Sequence, residues 1–114
     1  MSICLNVAEK IDNPSALTQE QGNIIYENIV SAFEKNEQII IDFVDVESII
    51  SPFLNNAIGR LYEKYRSEEI SELLKIKNFP DVKKSTLNIV ISNAKKFYMN
   101  KERFRNLAKE AIDS

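Results

Sequence analysis

The sequence predicts a single α/β domain in which a small sheet packs against helices. The main observation is the β-branched and aromatic run of Ile39, Ile40, Ile41 and Phe43, which Asp42 interrupts near its end. Such a run is typical of a strand covered on both faces, as in a parallel sheet. Apolar residues at helical spacing flank it on both sides, and a further short apolar run follows. We predict a mixed or parallel sheet of roughly three to four strands with about four helices, in one domain over residues 1–114.

The N-terminal segment predicts a half-buried strand followed by a turn. Ile3, Leu5 and Val7 alternate with polar or small residues, so their side chains are expected on one face. Residues 12–15 read Asp-Asn-Pro-Ser, a composition typical of turns.

The first long helix is predicted to begin at Thr18. Thr18 and Gln21 have the spacing of a capping box, in which each side chain bonds the other residue's backbone N–H. The expected core positions recur at helical spacing and are Ile25, Ile29, Ala32 and Phe33. Gly22 is expected to weaken this helix slightly.

The middle strand is followed by an acidic loop and a second helix. Asp42 lies near the end of the strand and is expected to accept backbone N–H groups of the loop. Ser51 and Pro52 predict the helix start, because serine can cap a free N–H and proline has none to leave unpaired. The expected core positions are Phe53, Ala57, Leu61 and Tyr65, with the helix ending near Ser67.

The C-terminal part predicts an acidic turn, a strand and two helices. The turn is expected at Glu68–Glu72, and the strand then contains Leu73, Leu74, Ile76 and Phe79 and is closed by Pro80. The third helix places Leu87, Val90, Ile91, Ala94, Phe97 and Tyr98 against the core. Asn100 is expected to cap a separate amphipathic helix at about residues 101–113.

Composition argues against several classes of function. The chain contains one cysteine and no histidine, so it lacks the commonest metal ligand and the commonest general base. We therefore expect no disulfide framework, no cofactor, no structural metal and no catalytic triad, and predict that the protein is not an enzyme. No apolar run approaches the ~20 residues of a membrane span, and the expected compartment is the cytoplasm.

Two alternatives follow from charge. Asp42, Asp45 and Glu47 lie within six residues and could gather Mg²⁺ or act as an acid/base pair, although no glycine-rich phosphate loop accompanies them. Residues 83–114 carry 8 Lys and Arg against 3 Asp and Glu. This basic segment, which contains Lys95, Lys96, Lys101, Arg103, Arg105 and Lys109, could contact nucleic acid or serve a toxin-antitoxin-type regulator. The acidic pI of about 5.2 weighs against nucleic acid.

The segment from Ile39 to Tyr62 resembles the STAS-like domains of uncharacterised bacterial proteins. The resemblance rests on Asp42-Phe43, Val46, Ile49, Ser51-Pro52-Phe53-Leu54-Asn55 and Ala57-Ile58-Gly59-Arg60-Leu61-Tyr62, and continues into Leu74-Lys75-Ile76-Lys77-Asn78. It covers roughly residues 21–98 and leaves out the last helix. These domains are similar to anti-sigma-factor antagonists, in which a strand, a serine-containing loop and a helix start meet a kinase-type ATPase. The resemblance implies a non-catalytic regulatory module of bacterial signalling, switched by serine phosphorylation.

The chain departs from the antagonists at the phosphorylated string Asp-Ser-Ser-Gly-Leu-Gly. Aligning Gly59-Arg60 places Ile50 on the Asp, Ser51 on the first Ser and Pro52 on the phosphoacceptor, which leaves Ser51 or Ser48 as substitute acceptors. We expect residues 46–56 to dock on an ATPase or sensor kinase. The expected contacts are Ser48, Ser51, Asn55 and Asn56, with Phe53 as an apolar anchor.

Overall fold

The protein is built on a three-stranded parallel sheet. The computed structural model describes the backbone of residues 2–113 and the side chains of residues 2–98. The strands are β1 (Ser2–Asn6), β2 (Ser15–Ala16), β3 (Gln38–Asp42), β4 (Ser48–Ile49) and β5 (Leu74–Lys77). The larger sheet has the order β1-β3-β5, and both of its strand pairs are parallel. The predicted α/β class, with the Ile39–Phe43 run at its centre, is confirmed.

Helices form most of the connections between these strands. They are α1 (Val7–Ile11), α2 (Gln19–Glu34), α3 (Ser51–Leu54), α4 (Leu61–Lys64), α5 (Ser67–Leu73) and α6 (Lys84–Asp113). A π-helical turn at Asn55–Gly59 joins α3 to α4, and a 3-10 turn at Asp81–Lys83 precedes α6. Within the described residues, no helix combines the length and the apolar character needed to cross a lipid bilayer.

The core lies between the central strand and the helices. Ile39 and Ile41 of β3 are buried, whereas Ile40 is half-buried. The predicted capping box opens α2, since Thr18 Oγ1 accepts the Gln21 backbone N–H at 3.0 Å. Most of the residues predicted at helical spacing are buried, namely Ile25, Ile29, Ala32, Phe33, Phe53, Ala57, Leu61, Leu87, Val90 and Ala94.

The N-terminal prediction is only partly correct. Leu5 is buried, but Ile3 is 38% exposed on the edge strand β1, and Val7 begins α1 instead of continuing the strand. The cause is Asn6, whose side-chain oxygen accepts the Glu9 backbone N–H and caps a helix at this point.

Two predictions for the C-terminal half are wrong. The segment predicted as an acidic turn is helix α5. Glu68 and Glu69 stabilise its first turn through their interaction with the helix dipole, and Ile70 is buried on its inner side. Asn100 does not start a new helix, since α6 runs without interruption from Lys84 to Asp113. This span contains no glycine or proline. The low helix propensity of Asn100 alone costs too little to break a long helix.

Candidate functional site

The loop after β3 is held by the carboxylate at the end of that strand. Asp42 Oδ1 accepts the Val44 backbone N–H at 2.9 Å and the Asn78 side-chain amide, also at 2.9 Å. The Asn78 hydrogen bond is the main reason that the pKa of Asp42 lies below its usual value, with Val44 contributing in the same direction. The predicted bracing role of Asp42 is confirmed, and Asn78 is a second anchor that the sequence did not indicate.

A second, two-stranded sheet fixes the rest of this loop. β2 and β4 pair in parallel, with Ser15 opposite Ser48 and Ala16 opposite Ile49. The Glu47 N–H donates to the Pro14 carbonyl at 2.7 Å, and the Ile50 N–H donates to Ala16 at 3.2 Å. Both segments read as loops in the sequence because two-residue strands are too short to show alternation.

These contacts present an exposed surface that we call the docking face. It consists of Leu17, Ser48, Ile50, Ser51, Pro52 and Asn55, all of which are exposed. Leu17 is 42% exposed and Ile50 is 40% exposed. They directly follow the paired residues Ala16 and Ile49, so the two strands carry them to neighbouring positions. Of the predicted contact residues, Ser48, Ser51 and Asn55 lie on this surface.

Ser51 does not cap the second helix. The N-cap position is Ile50, Ser51 is already the first helical residue, and no side chain caps this end. The Ser51 hydroxyl is therefore exposed and is not used by the helix. Pro52 lies in the first turn, as predicted.

Phe53 is not a surface anchor, which corrects the prediction. Its relative exposure is 0%, and Leu54 beside it is equally buried. The helix that begins at Ser51 turns both side chains inward onto the core. The exposed apolar residues at this place are Ile50 and Leu17 instead.

The π-helical turn lies against α2 at Gly22. A Cβ atom added to Gly22 would approach the Phe53 carbonyl oxygen to 2.7 Å and the Asn56 Cβ to 2.9 Å. Gly22 thus permits a close contact between two helices, where the sequence indicated only a weak helix position. A glycine inside an otherwise well-formed helix is the signal that could have revealed this contact.

A polar network occupies the contact between α2 and the π-helical turn. The Asn56 amide donates to the Gln19 carbonyl at 2.6 Å and to Asn23 Oδ1, while its own Oδ1 accepts from Arg60 Nη1 at 3.3 Å. Arg60 Nη1 also donates to Asn23 Oδ1 at 2.7 Å, and its guanidinium lies 4.1 Å from the centroid of the Tyr26 ring. Asn56 holds Arg60 in place, and its contact with a partner stays a prediction.

An open groove of about 480 Å³ runs between this network and α6. It is lined by Gln19, Pro52, Asn55, Asn56, Gly59, Arg60, Asn93, Ala94, Phe97 and Tyr98. Phe97 is 60% exposed, so its predicted place in the core is wrong, whereas Tyr98 is half-buried. Ala94 makes the core contact one turn earlier, and the Phe97 ring packs edge-on against Tyr98 at 5.0 Å.

The two charge-based alternatives have different outcomes. Among the side chains of residues 2–98, no three His, Cys, Asp or Glu residues lie close enough to hold a metal, so Asp42, Asp45 and Glu47 do not form a three-carboxylate site. Lys95 and Lys96 are exposed on α6. The basic residues Lys101, Arg103, Arg105 and Lys109 and the apolar Phe104 lie outside the described side chains. Nucleic-acid contact therefore stays a prediction.

Comparison with known proteins gives one result. A family model described as a STAS-like domain of unknown function (DUF4325) matches residues 21–82, more than half of the chain. The matched segment begins in α2 and includes β3, the loop, β4, the π-helical turn and β5. No curated protein and no solved structure matches the chain.

Proposed function

We propose that this chain, which belongs to the STAS-like DUF4325 family, is a regulatory protein-binding module that meets its partner through the docking face. The observation that carries the proposal is the pair of exposed aliphatic side chains, Leu17 and Ile50, beside the hydroxyls of Ser48 and Ser51. An apolar centre with a polar rim is the usual arrangement of a protein interface.

The rigidity of the docking face favours binding. The backbone of this segment is held by the β2–β4 pairing and by hydrogen bonds to Pro14 and Ala16. Asp42 fixes its start through Val44 and Asn78. Little backbone entropy is lost when such a segment binds, so even a small apolar pair contributes usefully to affinity. Ile50 takes the anchoring role that the sequence suggested for Phe53.

The partner that we propose is a kinase-type ATPase, and the regulated residue is Ser51. The Ser51 hydroxyl is exposed and does not cap the helix, so it is accessible to a phosphate donor. A phosphate next to Ile50 would place about two negative charges on the apolar part of the docking face and weaken the complex. Ser48, also exposed, is the second candidate acceptor.

The proposal is tested by site-specific photo-crosslinking of the full chain. A benzophenone amino acid replaces Ile50 in one variant and Lys35 in the control. Lys35 is exposed at the opposite end of α2, which is about 24 Å long. We expect a crosslinked ATPase from the Ile50 position and none from the Lys35 position. Equal crosslinking from both positions would contradict the proposal.

A second variant and a mass measurement complete the test. Asn55→Arg changes an exposed residue of the docking face, and we expect it to weaken binding of the crosslinked ATPase without changing the free energy of unfolding. Incubation of the wild type and of Ser51→Ala with that ATPase and ATP is followed by intact mass measurement. Phosphate on the wild type alone would support Ser51 as the acceptor. Phosphate on both proteins would show that the acceptor is Ser48 or another residue.

A further inference from the structure

Arg60 lines the groove and has no counter-ion among the described side chains. Its side chain is half-buried, and no carboxylate of the described residues comes within 4.0 Å of its guanidinium. The two ion pairs found in this part of the chain are Lys64–Glu34 and Lys84–Asp81. A partly desolvated guanidinium gains more from an anion than an exposed one does, because the solvent screens it less.

The guanidinium is also fixed in position. Nη1 donates to Asn23 at 2.7 Å and to Asn56 at 3.3 Å, and the Tyr26 ring lies against the guanidinium plane at 4.1 Å. Within the described side chains, Nη2 and Nε donate to no acceptor. A planar, preorganised donor pair of this kind suits the two oxygens of a carboxylate.

The charge of the groove contrasts with the charge of the chain. Arg60 is the one charged residue among the described side chains that line the groove, and residues 84–98 of the neighbouring helix α6 include no Asp or Glu. Burial and then the nearby carboxylate of Glu63 raise the pKa of the Tyr98 hydroxyl, but Glu63 makes no ion pair with Arg60 within 4.0 Å. The groove is therefore complementary to a negatively charged ligand, although the whole chain has a net charge of −2.

We propose that this groove binds an extended acidic segment of the protein partner, in which an Asp or Glu side chain pairs with Arg60. The side chains of Gln19, Asn55 and Asn93 line the groove, and each offers both a donor and an acceptor, which matches the amides of an extended peptide. Phe97 adds an exposed aromatic wall for an apolar side chain of the same segment.

This inference rests on the proposed function, because the groove and the docking face share Pro52 and Asn55. A partner seated on Ile50 can continue into the groove without a break in the contact surface. The groove then determines which partners bind, since a segment without an acidic residue leaves the Arg60 donors unpaired.

The test is selection of a phage-displayed library of random linear peptides on the full wild-type chain. We expect enriched peptides to contain Asp or Glu next to an apolar residue. Their affinity is then measured on Arg60→Gln, which keeps a donor but removes the charge. We expect binding to weaken about tenfold or more, as for loss of a charge-assisted hydrogen bond. Peptides without acidic residues, equal binding to Arg60→Gln, or no enrichment would overturn the inference.

A second pair of variants keeps the test independent of Arg60. Asn93 is exposed on α6 and lines the groove, so Asn93→Glu adds a repelling carboxylate without disturbing the core, and Asn93→Gln is the matched control. We expect about tenfold weaker binding for Asn93→Glu and no change for Asn93→Gln.

Ile50→Glu separates the inference from the proposed function. Peptides that lose affinity for Arg60→Gln and Asn93→Glu but not for Ile50→Glu would support the groove alone, and the docking face is then tested separately by crosslinking of the ATPase at Ile50. Peptides that respond only to Ile50→Glu would support the docking face and overturn the groove.

Discussion

Substitution of Gly22 by alanine tests the contact that positions the site. In an exposed helix, Gly→Ala stabilises by about 1 kcal/mol. Here the new Cβ would lie 2.7 Å from the Phe53 carbonyl oxygen and 3.3 Å from the Ala57 nitrogen, and both are backbone atoms that cannot rotate away. We assign the clash the upper end of the overpacking range, about 3 kcal/mol, which leaves a net loss of about 2 kcal/mol.

Urea unfolding followed by far-ultraviolet circular dichroism measures this effect. We expect Gly22→Ala to lower the free energy of unfolding by about 2 kcal/mol and the melting temperature by about 8 °C. Gly59→Ala is the matched control, because its Cβ would meet Asn55, Ala94 and Val90 at 3.6–3.7 Å, an ordinary contact distance. It should be neutral or stabilising by up to about 1 kcal/mol. A Gly22→Ala variant as stable as the wild type would refute the close approach of α2 to the π-helical turn.

Four further substitutions separate structural from functional residues. Thr18→Ala should lower the free energy of unfolding by about 1 kcal/mol because Thr18 caps α2. Ser51→Ala should lower it by less than about 0.5 kcal/mol because Ser51 caps no helix. Chemical denaturation of both variants measures the difference. Phe53→Ala should cost about 3–5 kcal/mol, since the ring is fully buried, and a small loss in the same assay would restore Phe53 as a surface anchor. Asn78→Ala should raise the pKa of Asp42, which a carboxyl NMR titration measures. Because the folded pKa of Asp42 is depressed, its stabilising effect is present above the unfolded pKa and is lost as the pH falls through the folded pKa, so the two proteins should converge in stability in acid.

The sequence predicted those elements for which the local residue pattern and the packing in the core favour the same secondary structure. The consecutive apolar positions from Ile39 to Ile41 predicted the central strand, and the Thr18–Gln21 spacing predicted the start of α2. At the N-terminus, prediction failed because a single polar residue decides the outcome. Asn6 could be read as a strand residue or as a helix cap, and only the chain around it selects the cap.

The site was predictable in outline but not in its contacts. The bracing role of Asp42 was predictable because a carboxylate at a strand end can accept loop N–H groups, whereas the partner contacts of Ser51 and Asn55 stay predictions. Phe53 was misassigned because a helix start does not show which side faces the core. Arg60 was not singled out, since it is held by a hydrogen bond to Asn23, which lies 37 positions away in the sequence.

The affinity of the crosslinked ATPase for Ile50→Glu tests the central claim most directly. Val82→Glu is the matched control, because Val82 is an 86% exposed aliphatic residue outside the docking face and the groove. Calorimetric titration should show a loss of about thirtyfold or more for Ile50→Glu, the effect of an interface hot spot, and no change for Val82→Glu. Wild-type affinity for Ile50→Glu would contradict the docking face.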